Sequence, residues 1–164
     1  MRMRSSKVVV FLLTFFILLS QVFTSSFALA DNKVPFTIFH TNDMHGRLGY
    51  EEYKGKPTSF GSAREKALID KEKKENPNRT VIALDAGDAF QGLPVSNQSK
   101  GQDMAKAMNE IGYKAMAAGN HEFDFGLDTV EKYKNNPQNG GWLNFPILST
   151  NVYKDGKRLF EPST

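Results

Sequence analysis

Four short, largely apolar runs lie at 36–40, 80–85, 114–118 and 145–149, separated by helical patterns. That alternation constrains the fold more than any other feature. It implies βαβ crossovers, a mainly parallel sheet and helices on both of its faces. Phe36-Thr-Ile-Phe-His40 follows Pro35 and reads as a strand. Thr41 to Pro57 is polar, with three Gly, and reads as a long loop. Ser59 to Glu75 reads as a helix with Ala63, Ala67 and Leu68 on one side, stopped by Asn76-Pro77. Thr80-Val-Ile-Ala-Leu-Asp85 is a nearly continuous apolar strand of the buried parallel kind. Ala86 to Gly101 reads as a loop. Gln102 to Ile111 sets Met104, Ala105, Met108 and Ile111 at helical spacing, a core stripe, and Gly112 is the C-cap candidate. Lys114 to Ala118 is a third strand, Leu127 to Lys134 a third helix and Phe145 to Ser149 a fourth strand. No internal repeat or low-complexity segment interrupts this order.

The N-terminus is different in kind. Met1 to Lys7 carries Arg2, Arg4 and Lys7 without an acid, and Val8 to Leu19 is apolar except for Thr14. Ala28-Leu29-Ala30 closes the segment. This is the pattern of a secretory signal peptide over residues 1–30, too short in its apolar run for the about 20 residues that span a bilayer. Contact with a membrane is then expected only through the signal, before cleavage, and the product is secreted or extracytoplasmic, with the cell surface or wall as a destination. Removing Arg2, Arg4 and Lys7 from the 21 Lys and Arg leaves 18, equal to the 18 Asp and Glu. The basic isoelectric point therefore belongs to the export signal, and a nucleic-acid partner loses its electrostatic support. The chain has no Cys, which excludes a disulfide scaffold, a Cys-type zinc site and a Cys nucleophile in this stretch.

In open α/β sheets ligands bind at the carboxyl ends of the strands. The first three strands each run into a polar cluster: His40-Thr-Asn-Asp43-Met-His45-Gly-Arg47, Asp85-Ala-Gly-Asp88-Ala-Phe-Gln91-Gly92 and Gly119-Asn120-His121-Glu122-Phe-Asp124. All three His of the chain fall in these clusters. A lone D-x-H is weak, and a lone Asp after a strand is usually a turn former. The set of D-x-H, G-D-x-x-Q and G-N-H-E, each behind a strand and in this order, is specific.

On those residues the sequence resembles the calcineurin-like metallophosphoesterases. Within them it is similar to the secreted 5′-nucleotidase family, which includes UDP-sugar hydrolases and 2′,3′-cyclic-nucleotide phosphodiesterases. Phe145-Pro-Ile-Leu-Ser-Thr-Asn-Val152 also looks like a family strand, and the resemblance runs from Phe36 to Tyr153. It implies a four-layer αββα domain, of which residues 31–164 are the N-terminal βαβαβαβ portion. It implies two divalent metal ions, with Asp43 and His45 on the first, Asp88 bridging, and Asn120 on the second. It makes His121 the catalytic His and Asp124 the carboxylate that holds its ring. Metal-activated hydroxide would attack the phosphoryl group of a nucleotide or another phosphate ester. An N/O donor set suits Zn, Mn, Fe or Co better than Mg or Ca alone. His40, Asn42 and Arg47 are expected to orient ligands or loop, Asp85 to form the turn, and Gln91 and Glu122 to support the ligands from behind.

The family's further His ligands have no counterpart here, since no His follows His121. Its C-terminal nucleotide-binding domain is also missing from this stretch. The chain thus reads as a truncated part whose isolated activity is expected to be low. Nucleotide hydrolysis is the leading reading. The same site would serve a 2′,3′-cyclic-nucleotide phosphodiesterase or a UDP-sugar hydrolase, and a non-catalytic extracellular binding module is the reading from another class.

Overall fold

The computed structural model describes residues 33–160. The signal peptide at 1–30 lies outside the described residues. The main sheet holds β1 (Phe36–Thr41), β4 (Thr80–Asp85), β5 (Ala115–Ala117) and β6 (Ile147–Leu148), all parallel and in that spatial order. Between them run α1 (Ser62–Glu75), the single-turn α2 (Pro94–Asn97), α3 (Gln102–Ile111) and α4 (Leu127–Lys134). The strands agree with the sequence reading in place and order, though the last two are shorter. In the fourth run, Pro146 lacks the N–H that a ladder needs, and pairing begins at Ile147.

Three expectations are corrected. The polar stretch after β1 is not a plain loop. It contains a hairpin, β2 (Glu51–Tyr53) and β3 (Lys56–Ser59), turned by Lys54-Gly55 at φ 52° and 74°. Positive φ at both central residues is the type I′ pattern that matches strand twist. Ser59 accordingly ends β3, and the helix begins at Ser62. A second hairpin, β7 (Tyr153–Lys154) and β8 (Lys157–Arg158), turns at Asp155-Gly156 in the same way.

The second correction concerns layers. Strand order follows chain order, so every crossover steps the same way, and right-handed crossovers then put their helices on one face rather than both. α1 and α3 pack against each other there. The described residues form one helical layer and one main sheet, the βαβαβαβ portion expected of them.

The third concerns the buried side of α1. Ala63, Ala67 and Leu68 are exposed, and Glu65 and Ile69 face the core instead. The core itself gathers Ile69, Ala83, Phe90, Met104, Met108, Met116, Val130 and Ile147. Phe90 stacks on Tyr133 at 4.1 Å between ring centroids, and Trp142 meets Tyr133 edge-on at 5.5 Å. Each fully buried side chain of this size contributes about 1.5–3 kcal/mol by leaving water.

Candidate metal centre

β1 and β4 pair in register from Phe36↔Thr80 to Thr41↔Asp85, so their ends are flush and the Asp43 and Asp88 loops leave at one level. The loops then zip together through the backbone. Asp43 N donates to Gly87 O at 3.0 Å, His45 N to Asp88 O at 3.0 Å and Gly46 N to Ala89 O at 2.9 Å. The third loop, after β5, joins through Asp88, whose Oδ1 accepts the His121 N–H at 2.8 Å. Gly119 is required at this junction. A Cβ there would collide with the Asp88 carboxylate and lie 2.7 Å from the Asp88 nitrogen.

Glu122 is fully buried and locks the second and third loops. It accepts N–H bonds from Asp88 at 2.9 Å, Ala89 at 2.9 Å and Gly119 at 2.7 Å. Burial pushes its carboxyl upward, and the three bonds pull the other way by favouring the ionised form.

The loops bring His45, Asp88 and His121 together, with one ligand atom of each within 4.8 Å of the others. The His45 and His121 rings meet edge-on at 5.0 Å. His45 Nδ1 lies 2.9 Å from the Gln91 carbonyl, which fixes the proton on Nδ1 and leaves the Nε2 lone pair free. That Nε2 stands 3.8 Å from Asp43 Oδ1, and Asn42 Nδ2 donates to Asp43 Oδ2 at 2.5 Å. His121 Nδ1 lies 2.7 Å from Asp124 Oδ2, and this bond raises the His121 pKa above its ordinary value. Nε2 of His121 is therefore the atom turned to the cluster. The donors on offer are the His45 imidazole nitrogen and carboxylate oxygens, a set that fits Zn, Mn, Fe or Co.

The other sequence-predicted residues have these places. Asn120 immediately precedes the 3₁₀ turn His121–Phe123. Arg47 turns away to Glu51 on β2, at 3.5 Å. His40 is exposed at the end of β1, on the sheet face shared with Ile38. Gln91 acts through its backbone carbonyl. Asp85 is buried, its Oδ1 accepting the Gly87 N–H at 2.8 Å and its Oδ2 the Thr41 hydroxyl at 2.6 Å. Sequence reasoning missed Thr41, Glu65 and Tyr113, which are bonded into the same turn. The available signal was the strand-end position of Thr41 and a tyrosine directly after the Gly112 cap.

The family profile of the calcineurin-like phosphoesterases matches residues 36–163. The chain is a calcineurin-like phosphoesterase. This phosphoesterase is 42% identical over 137 residues to a 5′-nucleotidase of Vibrio cholerae, covering 81% of the chain and 23% of that protein. It is 36% identical over 169 residues to the protein UshA of Escherichia coli, covering 99% of the chain and 28% of that protein. Among solved structures, a 5′-nucleotidase precursor from Thermus thermophilus superposes with a TM-score of 0.58 at 35% identity, over 70% of this chain and 22% of that one. The phosphoesterase chain thus spans about a quarter of the length of these curated relatives.

Proposed function

We propose that the chain is the N-terminal part of an exported, two-metal phosphohydrolase acting on nucleotides, of the 5′-nucleotidase type. The observation that carries this reading is the convergence of His45, Asp88 and His121 within 4.8 Å at the ends of neighbouring parallel strands. The names of the relatives supply the substrate class. Export follows from the pattern of residues 1–30.

Asp43, His45, Asp88 and Asn120 would hold the ions, with Asp88 shared between them. When bound, such ions polarise a phosphoryl oxygen and lower the pKa of coordinated water toward about 7. The chain's own residues do the rest. The Gln91 carbonyl holds His45 with Nε2 as the donor atom. Asp124 keeps Nδ1 of His121 protonated and favours the imidazolium, so Nε2–H can donate to a phosphoryl or departing oxygen as charge develops. Glu122 keeps the Asp88 and His121 loops at fixed separation.

The test is hydrolysis of AMP, UDP-glucose and 2′,3′-cyclic AMP by the protein at full length, before and after EDTA and with Mn²⁺ restored. Turnover of AMP that disappears with chelation and returns with Mn²⁺ is expected. Activity that survives thorough chelation overturns the metal mechanism. Preference for UDP-glucose or the cyclic nucleotide would move the substrate and keep the chemistry. The 164-residue chain alone is expected to turn over little, because Asp43, His45, Asp88 and Asn120 fall short of two complete coordination shells.

A further inference from the structure

Behind the metal loops lies a second group of polar side chains. Glu65 on α1, Tyr113 after α3 and Asp85 at the end of β4 are 9%, 2% and 5% exposed. They are joined through Thr41 at the end of β1. The Tyr113 hydroxyl is hydrogen-bonded to Glu65 Oε1. Tyr113 OH and Thr41 Oγ1 are 2.6 Å apart, and Thr41 Oγ1 is 2.6 Å from Asp85 Oδ2. Neither carboxyl is paired with a cation among the described residues, and Glu122 adds its negative field to Asp85.

A contact of this length between two oxygens needs one hydrogen between them. Here the contacts are three, while the two hydroxyls bring one hydrogen each. With both carboxyls ionised, one contact would set lone pair against lone pair in a buried place, where an unmade hydrogen bond is expensive. The Met44 sulfur, 3.8 Å from Tyr113 OH, is a weak rival acceptor and only deepens the shortage. A third proton removes it. On Glu65 it gives donors running Glu65 to Tyr113 to Thr41 to Asp85. On Asp85 the same chain runs in reverse.

We propose that Glu65, Tyr113, Thr41 and Asp85 hold one extra proton between two buried carboxyls, and that this protonated chain positions the Asp85–Gly87 turn from which Asp88 projects. Moving the proton from one end to the other breaks an O–H bond at one carboxyl, makes one at the other, exchanges one at each hydroxyl, and leaves a single negative charge on the chain. Burial raises both carboxyls above their ordinary range, in keeping with a retained proton. The turn so held is central to the site. Gly87 O receives the Asp43 N–H at 3.0 Å, and Ala86 N donates to Thr41 O at 2.8 Å. Glu65 and Tyr113 are then positioning residues for Asp43 and Asp88. That role rests on the phosphohydrolase reading above, whereas the proton itself does not.

The experiment uses the chain with Glu65→Gln, Asp85→Asn, the pair together, and Glu65→Ala. An amide at either end donates into the chain as the protonated carboxyl does, so each single amide variant keeps every contact. With both amides in place, one must turn its carbonyl to the chain and bury its NH₂ without a partner there. The unfolding midpoint of each single variant is expected to stay close to wild type, and the loss in the double variant to exceed the sum of the singles. Infrared difference spectra should show one buried protonated carboxyl in the wild type at pH 5, absent from either amide variant. A wild type without that band, or a double variant whose losses simply add, overturns the shared proton. Titration with Mn²⁺ alone tests positioning. Glu65→Ala should weaken Mn²⁺ binding about 10–100-fold and Glu65→Gln should restore it. Equal affinity in both variants and the wild type removes the positioning role. A wild type that does not bind Mn²⁺ fails the metal reading and leaves the infrared result standing.

Discussion

Three residues of the candidate metal centre adopt a backbone conformation that side chains avoid. Asp43, His45 and Asp88 have φ of 52°, 48° and 59°. Asp and His tolerate this region better than most residues, yet each such position stores strain that the surroundings must overcome. The interlocked N–H bonds between the loops and the Glu122 carboxylate supply that restraint. Glu122→Gln keeps the shape but turns an amide N–H against a backbone N–H. Its expected effects are a loss of about 1–3 kcal/mol in denaturant unfolding and Mn²⁺ binding weakened about 10–100-fold. Unchanged Mn²⁺ affinity would mean the loops hold their geometry without the clamp. Asp85 gives the pH dependence. Burial lifts its carboxyl from 3.8 to about 6, so the folded state holds a proton that the unfolded chain has released. Its contribution is present below 3.8 and is lost as pH rises through about 6, so stability from this group falls across that window. Asp85→Asn should flatten the pH profile of the melting temperature between those limits, and a profile unchanged by the substitution would show that Asp85 does not titrate there. The meeting of His45, Asp88 and His121 was legible because chemistry-bearing side chains cluster at strand ends. Two of the three partners of Glu122 were not, being backbone N–H groups of a loop more than thirty residues earlier, which no side-chain pattern announces.

Elements were legible where one face is apolar and obscure where it is not. α3 carries Met104, Ala105, Met108 and Ile111 on its buried side, and its stripe and Gly112 cap stand in the structure as the spacing implies. Gly112 sits at φ 90° with open space around the position of a Cβ, so Gly112→Ala isolates the left-handed penalty from any clash. It should cost about 1–2 kcal/mol in thermal or denaturant unfolding. A neutral substitution would mean that the cap relaxes to a right-handed ending. α1 misled because its few apolar residues point outward while a carboxylate points inward. Glu65 and Ile69 are one turn apart on the buried side, and nothing in a Lys- and Glu-rich helix distinguishes Glu65 from its exposed neighbours. Its inward direction follows from Tyr113, which waits 48 residues away with a hydroxyl. The β2–β3 hairpin was missed for a local reason. Its strands carry mostly Glu, Lys, Pro and Ser, with Thr58 the one β-branched residue, and its turn uses Lys-Gly rather than the commoner Asn-Gly.

At the scale of the whole molecule, the described residues cover the main sheet on one side only. Register places Phe36 and Ile38 of β1 on the same face as Ile82 and Leu84 of β4, Ala115 and Ala117 of β5 and Leu148 of β6. Phe36 and Ile38 are 61% and 47% exposed. Parallel sheets are normally buried on both faces, and an apolar surface of this kind is a site for association when nothing lies on it. The opposite face carries Thr37, Phe39 and Thr41, packed under the helices or bonded to them. The metal loops hang from the strand ends, so covering the open face and building the site are separable demands. Expressed as the 164-residue chain, the protein should therefore bind the dye ANS and self-associate at micromolar concentration while its helical circular dichroism is intact. Ile38→Lys changes only the open face. It should lower ANS fluorescence and shift sedimentation toward monomer, leaving Mn²⁺ affinity as in the parent chain. If Mn²⁺ binding falls together with ANS binding, the open face and the metal loops are coupled through β1, and the independence argued from the strand register is wrong.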